Sequence, residues 1–533
     1  MRAGWPKRME DVSMNRLARW IWPTLILLLA FALRAHALGA KSLWYDELRQ
    51  VEVARHSVAE FPAALVPHSG RPLDYVITHF MLEAGQQEFW LRFPAALWGT
   101  LSVAVMFALA RRWLSRGAAL ATLALMAAAP IAVQYSQEMR PYALYLLFTL
   151  LSFWSLERAL GPNPSAHRSP SEGSPLGRAR RGKGSEFNWL IFALASVGGT
   201  LTHFFYTFVL TAQVIFVAGL FVFRRVRWPQ FARFGGSALA GYAALFVAAN
   251  PFTLAVFARR YLGALVALPV SGLATDAGAR VTNPDTLNPD FLVKGLLPQY
   301  GGGEGAALVL FVGLALVGAL TLTFRNRRQL ALLALWLILA PALVLIYLQY
   351  RQQFFAIRYL LFVLPAYLSL VVYGLLTLGR WRPARRVVLF GGLAALLVFD
   401  LNQVALDYGK PKDDWRRVGA FLTANVRPGD AVAAPDVQYF LRFYAPGQPG
   451  TIVDANDLGP HQQALEDYDR FWFVWSDYTQ IPVEEVRQWV NNRPGVTLQL
   501  DPKIKVIYVH PGRTQAEMLA EAQQFVIPPP SIP

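Results

Sequence analysis

The sequence predicts a mainly α-helical polytopic membrane protein: a bundle of about eleven transmembrane helices, with interfacial helices in its outer loops and a small C-terminal α/β domain. Three observations carry this prediction. Of the 533 residues, 55% are hydrophobic and only 16% charged, which is too apolar for a soluble chain of ordinary composition. The apolar residues collect in runs such as Trp20–Leu38, Leu97–Ala110, Phe311–Leu322 and Val387–Phe399, several extending to the roughly 20 residues needed to cross a bilayer. The basic residues sit in short clusters between these runs, where they set orientation.

The chain starts with a basic segment, Met1–Arg19, followed by an apolar Ile21–Leu33 run and Ala35-His36-Ala37. This pattern fits a signal peptide with its cleavage site, but the many later runs favour an uncleaved first span. Either way, the next segment emerges on the outer side. With Arg2, Lys7, Arg8, Arg16 and Arg19 in the cytoplasm, spans fall near 20–38, 93–111, 117–135, 141–158, 188–206, 207–223, 234–256, 305–323, 329–348, 358–378 and 387–403. This threading puts the clusters Arg111–Arg116, Arg168–Lys183, Arg224–Arg227, Arg325–Arg328 and Arg380–Arg386 on one side, the cytoplasm by the positive-inside rule.

Leu73–Leu82 is apolar but too short to span, so 73–84 reads as a helix that lies at the outer interface or re-enters the protein. Counting it as a span would invert every later basic cluster. Residues 161–187, rich in Pro, Ser, Gly and Arg, read as a flexible cytoplasmic loop. The membrane region ends near 403, and 404–533 reads as an outer α/β domain. Helices are expected at Trp415–Val426 and Val483–Asn491, strands at Asp430–Ala434, Arg470–Trp475 and within Val496–Val509, and an irregular tail at Pro528-Pro529-Pro530.

Composition also excludes functions. The net charge of +16 lies in short clusters between apolar runs, where it fixes membrane orientation, so nucleic acid is not an expected partner. With no cysteine there are no disulfides, thiolate metal sites or cysteine nucleophiles. A Walker loop, a dinucleotide fingerprint and a Gly-Xaa-Ser-Xaa-Gly elbow are all missing from the sequence, which leaves nucleotide hydrolysis without support.

Chemistry must therefore rest on carboxylates, arginines, histidines and hydroxyls. The first outer loop carries Leu43-Trp44-Tyr45-Asp46-Glu47, adjacent carboxylates just beyond a span, with two aromatics suited to the interface. The pair is either a solvated helix start or a general base that deprotonates an acceptor. Two other outer turns, Ser136–Tyr142 and Tyr350–Tyr359, carry Arg140, Arg351 and Arg358 on the side where arginine is disfavoured. Both turns precede inward-running helices, so the positive helix ends and the guanidinium groups can hold an anion, phosphate above all. The alternative is pairing with Glu138 or lipid headgroups. His203, near an outer span end, either packs among aromatics or bonds a substrate or a metal. No zinc spacing is present, and a divalent metal ion is the one cofactor left open.

At these residues the chain resembles the GT-C superfamily of membrane glycosyltransferases, in particular the family 39-like group that includes protein O-mannosyltransferases and the lipid A aminoarabinose transferase. The resemblance covers about residues 15–405. It rests on Tyr45-Asp46-Glu47, on Gly70-Arg71-Pro72-Leu73-Asp74-Tyr75 followed by Phe89-Trp90-Leu91-Arg92-Phe93-Pro94, and on Gln137–Tyr142, His203, and Arg358-Tyr359 with Pro365. It implies a GT-C-type fold and an inverting transfer from a polyprenyl-phosphate-linked sugar to a lipid, glycan or protein acceptor, at the outer face of the cytoplasmic membrane. Asp46 takes the catalytic role and Glu47 matches the second acidic residue. Arg71, Arg140, Tyr142, His203, Arg358 and Tyr359 are the implied residues for carrier phosphate and sugar. Asp74 departs from the usual Pro-Pro-Leu-Tyr-like pattern.

Two other readings stay open. A transporter or flippase would place charges at mid-span, whereas here the polar residues gather at one face. A glycan polymerase or ligase would carry a large late outer loop. The loop 257–304, with Gly301-Gly302-Gly303, reads as either a mobile substrate cover or an ordinary ordered loop.

Overall fold

Lipid offers no hydrogen bonds, so each apolar run must satisfy its own backbone, and helices are the outcome. The computed structural model describes residues 7–57, 60, 72–161, 175–247, 296–351, 355–380, 382–434, 437–453, 465, 467–476 and 492–531. The eleven expected spans all fall on helices, the seventh as far as Val247, where description stops. Among the described residues, six helical stretches are long and apolar enough to cross a membrane: Glu88–Trp113, Tyr142–Leu160, Ala306–Arg325, Arg327–Tyr350, Ile357–Leu378 and Val387–Gly409. Trp20–Ala35, Arg116–Ala128 and Tyr206–Val222 are shorter apolar helices. The chain is a polytopic, mostly helical membrane protein.

The shortness of Arg116–Ala128 has a local cause. Pro130 has no N–H for the Met126 carbonyl and starts a separate helix, Pro130–Gln134. Arg34, fully buried at the end of the first helix, supplies the missing donors: Nη2 to the Met126 carbonyl (3.3 Å) and Nη1 to that of Ala127 (3.0 Å). Elsewhere small residues bring helices together, as expected where lipid is as apolar as the side chains. Gly318 and Gly374 face one another across the Ala306–Arg325 and Leu364–Leu378 helices, and a β-carbon at either would fall inside the partner's backbone.

Two ends of the bundle differ in charge. At one end Glu157 accepts from Arg328 Nη2 (2.7 Å) and Trp113 Nε1 (3.1 Å), close to Arg112, and these residues end or begin three helices. The opposite end starts the Tyr142–Leu160 helix and holds the Tyr45–Ala54 helix. There Pro72–Ala84 is a short helix packed on Tyr45–Ala54 and on Glu88–Trp113, not a span. Within the last span, buried Asp400 accepts from the Gly302 N–H (2.8 Å), so this mid-chain carboxylate caps a glycine turn.

Two expectations change. The helix that ends at Thr202 begins at Pro175, inside the segment read as an irregular loop. The last span runs on to Gly409. The expected helix Val483–Asn491, Arg71 and most of the 257–304 loop lie outside the described residues.

After Trp415–Asn425 comes a five-stranded sheet of order β2-β1-β3-β5-β4, where β1 is Ala431–Ala433, β2 Thr451–Val453, β3 Phe471–Ser476, β4 Val496–Asp501 and β5 Ile504–Val509. β1 pairs in parallel with β2 and β3, while β5 pairs antiparallel with β3 and β4. The continuous apolar run Phe471-Trp472-Phe473-Val474 marks β3 as central and covered on both faces. Beneath it Arg470 and Asp430 form a buried ion pair, Nε to Oδ1 at 2.8 Å. The core of this unit continues into Leu43, Leu48, Val51, Leu91 and Met139, so the sheet and the loop after the first helix are packed as one.

Candidate active site

Asp46 and Glu47 occupy the first turn of the Tyr45–Ala54 helix. At 3.6 residues per turn, neighbours point about 100° apart, so one helix start aims the two carboxylates in different directions. Glu47 points inward and is completely buried. Arg92 grips it through both oxygens, Nε to Oε1 at 2.9 Å and Nη2 to Oε2 at 2.7 Å, and the backbone N–H groups of Met139 and Trp44 donate to it at 2.8 and 3.1 Å. Burial alone would raise this carboxyl, but the Arg92 charge and hydrogen bonds outweigh it and hold Glu47 at about 2. Arg92 also donates to the carbonyls of Leu38 (3.1 Å), Lys41 (2.7 Å) and Ser42 (2.8 Å), tying down the loop that leads into Asp46.

Asp46 points the other way and stays partly exposed, its side chain 22% accessible. Its Oδ2 accepts from Arg358 Nη2 at 3.1 Å and lies 3.7 Å from Arg140 Nη2. Arg140 Nη1 also donates to the Asp46 carbonyl (3.1 Å) and to Gln50 Oε1 (3.2 Å), while Gln50 Nε2 donates to Asp74 Oδ2 (2.5 Å) and Thr78 Oγ1 (2.8 Å). Burial acts to lower the Arg140 pKa, yet the Asp46 charge wins and raises it. Asp74, the acidic departure, thus joins the polar network behind Arg140.

Arg358 stands at the start of its helix among aromatic rings, 5.2 Å from the centre of Trp44, 5.7 Å from Tyr142 and 5.9 Å from Tyr359. His203 sits in the break between the helices ending at Thr202 and starting at Tyr206. Its ring is stacked on Tyr145 at 4.9 Å and lies 5.7 Å from Tyr142 and 6.0 Å from Tyr359. Its Nδ1 accepts from the Phe205 N–H (3.2 Å). Histidine here is part of the aromatic wall behind the arginines.

Residues 72–166 match the family model described as dolichyl-phosphate-mannose-protein mannosyltransferase, a stretch that contains Arg92, Arg140 and Tyr142 but not Asp46. The fold is similar to ArnT from Cupriavidus metallidurans in its apo state, with a TM-score of 0.55 at 15% identity, covering 91% of this chain and 97% of that one. The same protein bound to undecaprenyl phosphate aligns with a TM-score of 0.53 at 15% identity, over 92% and 98% of the two chains. The archaeal oligosaccharyltransferase AglB from Archaeoglobus fulgidus, in complex with an inhibitory peptide and a dolichol-phosphate, aligns at 0.50 with 12% identity over 92% and 74%. The chain has a GT-C-type fold. Sequence comparison with curated proteins found no match.

On this GT-C scaffold Asp46, Arg140, Tyr142, Arg358 and Tyr359 come together at one end of the bundle, with His203 one ring behind, and Glu47 faces away from them. Arg71 lies outside the described residues. Arg92 and Gln50, which organise the site, were given no role by sequence reasoning. A signal existed for Arg92, since an arginine at the outer end of an apolar run requires a partner just as Arg140 does. Among the described residues, no three His, Asp or Glu side chains converge on a point where a metal ion could be held. Both Glu47 oxygens already accept from Arg92.

Proposed function

We propose that this GT-C protein transfers a sugar, with inversion, from a polyprenyl-phosphate donor to a lipid, glycan or protein acceptor at the outer face of the cytoplasmic membrane. The observation that carries the reading is the single carboxylate of Asp46 held between two guanidinium groups, Arg140 and Arg358. Two positive charges against one negative leave an excess of one positive charge, which a phosphodiester matches. Similar folds support this donor class: ArnT has been solved with undecaprenyl phosphate and AglB with dolichol-phosphate.

The chemistry follows from the charges. The bond between the sugar's anomeric carbon and the donor phosphate breaks as the acceptor oxygen or nitrogen bonds to that carbon from the opposite face. The acceptor's proton passes to Asp46, and the phosphate leaves with one more negative charge than it had in the donor. Arginines that bind this growing charge stabilise the transition state more than the ground state. As the phosphate engages Arg140 and Arg358, it competes with Asp46 for them and frees the carboxylate to accept the proton. Glu47 acts in this scheme as a positioning residue, locking the helix start through Arg92. In the same reading residues 1–403 form the transferase domain, and 404–533 lie outside the cytoplasm and buttress the Asp46 loop. Transfer of a labelled sugar from a synthetic polyprenyl phosphate by purified protein tests the proposal. Failure across lipid, glycan and peptide acceptors would count against it.

A further inference from the structure

A cavity of about 130 Å³ lies on the other side of the turn that carries Arg140. Its walls are the loop after the first helix (His36–Lys41), Gln137 and Glu138, and the end of the last span with the segment after it, Val404–Lys412. Glu138 and Arg140, two residues apart, face different spaces: Arg140 reaches Asp46, while Glu138 lines this cavity.

Three lysines surround it. Lys41 Nζ donates to the carbonyls of Tyr408 and Lys410, both at 2.7 Å, leaving one N–H of its three. Lys410 pairs with Asp407 at 2.6 Å, and Lys412 stands 4.0 Å from Glu138, at the limit of an ion pair. The Glu138 Oε2 atom is buried with no hydrogen-bond partner. Burial pushes the Glu138 carboxyl up, and burial together with Lys412 and Arg92 pushes the Lys41 ammonium down. Three ammonium groups, Lys41, Lys410 and Lys412, thus stand against two carboxylates, Asp407 and Glu138, so positive charge is in excess among the described residues that line the cavity.

The surroundings say where an anion would come from. Both helices that end at the cavity present large apolar side chains outward, Trp22 and Leu28 on the first and Val398 and Leu406 on the last. In a membrane protein such faces meet lipid, so the cavity sits where two lipid-facing helices end, at the depth of headgroups. Leu38, Val133 and Val404 give it apolar walls suited to the start of an acyl or isoprenyl chain.

We propose that this lysine-lined cavity binds the phosphate of a lipid headgroup, at a site separate from the arginine pair at Asp46. Phosphatidylglycerol is a suitable probe, titrated into the detergent-purified full chain and followed by native mass spectrometry. Diacylglycerol and inorganic phosphate serve as the apolar and anionic halves. Phosphatidylglycerol should bind, diacylglycerol should not, and inorganic phosphate should bind far more weakly. Each charge-assisted contact corresponds to a factor of about ten or more. Lys410→Gln, at a side chain 67% exposed and so replaceable without unfolding, should therefore weaken binding about tenfold, Lys410→Gln with Lys412→Gln further, and the paired Arg replacements little. Arg358→Ala should leave this binding intact. Unchanged affinity in the double Gln variant overturns the proposal, as does equal binding of diacylglycerol. Loss in Arg358→Ala but not in the lysine variants would assign the lipid to the Asp46 site instead. Inorganic phosphate that binds as tightly and displaces the lipid would make the ligand a free phosphate and overturn the lipid assignment.

Discussion

Arg92 and Glu47, 45 positions apart in the chain, form a two-pronged ion pair in which the arginine side chain is 2% exposed and the glutamate wholly buried. Removing one partner of such a pair strands a charge and costs about 3–5 kcal/mol. Arg92→Ala and Glu47→Ala should each lower stability by that order in chemical unfolding of the detergent-solubilised protein. Replacing both by leucine should recover much of the loss. A double variant as unstable as the sum of the singles would mean that the pair is not the coupled unit seen here.

The same pair sets an acid limit. Glu47 has a folded pKa of about 2 against an ordinary value of 4.5, so its contribution to stability is present above 4.5 and is lost as pH falls towards 2. It amounts to about 3 kcal/mol. The stability gap between wild type and Glu47→Gln should be widest near neutral pH and close between 4.5 and 2. A gap independent of pH would contradict the pairing.

Arg140 and Arg358 should both be needed for donor binding. Each charge-assisted hydrogen bond contributes roughly 1.5–3 kcal/mol, so either alanine variant should weaken equilibrium binding of a polyprenyl phosphate about tenfold or more. Arg358→Lys should restore only part, because the planar guanidinium lies among Trp44, Tyr142 and Tyr359 and a lysine cannot keep both that stacking and the bond to Asp46. Full binding in both alanine variants would remove the phosphate assignment.

Much of this was readable in the sequence, for reasons that differ by element. The spans stand out because lipid demands long apolar runs, and β3 because a central strand covered on both faces is apolar throughout. Arg140 and Arg358 drew notice because arginine at an outer turn needs an explanation. The division between Asp46 and Glu47 was not readable, since adjacent letters do not reveal which residue a helix start turns inward. Nor was Arg34's role, which depends on carbonyls that Pro130 leaves without donors 90-odd positions away. The helix beginning at Pro175 runs against a composition of Pro, Gly, Ser and Arg that reads as a loop. Short β2 and the Gln438–Tyr444 helix carry too few residues for a periodic signal.

Topology gives an independent test. If the eleven-span threading and the cytoplasmic N-terminus proposed here hold, the sheet-bearing unit lies outside, on the side of Asp46. A reporter active only outside the cytoplasm, fused after residue 410, should be active. Activity of a cytoplasm-only reporter at the same position would show the threading wrong by one span.

The central claim is that Asp46 removes the acceptor's proton, a step in which a positioned carboxylate contributes about 10²–10⁴-fold in rate. The most direct measurement is single-turnover transfer of labelled sugar from a polyprenyl phosphate, comparing wild type with Asp46→Asn, which keeps the shape but not the base. The account predicts that transfer in Asp46→Asn falls by about 10²-fold or more while the donor still binds. Transfer at a near-normal rate in Asp46→Asn would contradict it.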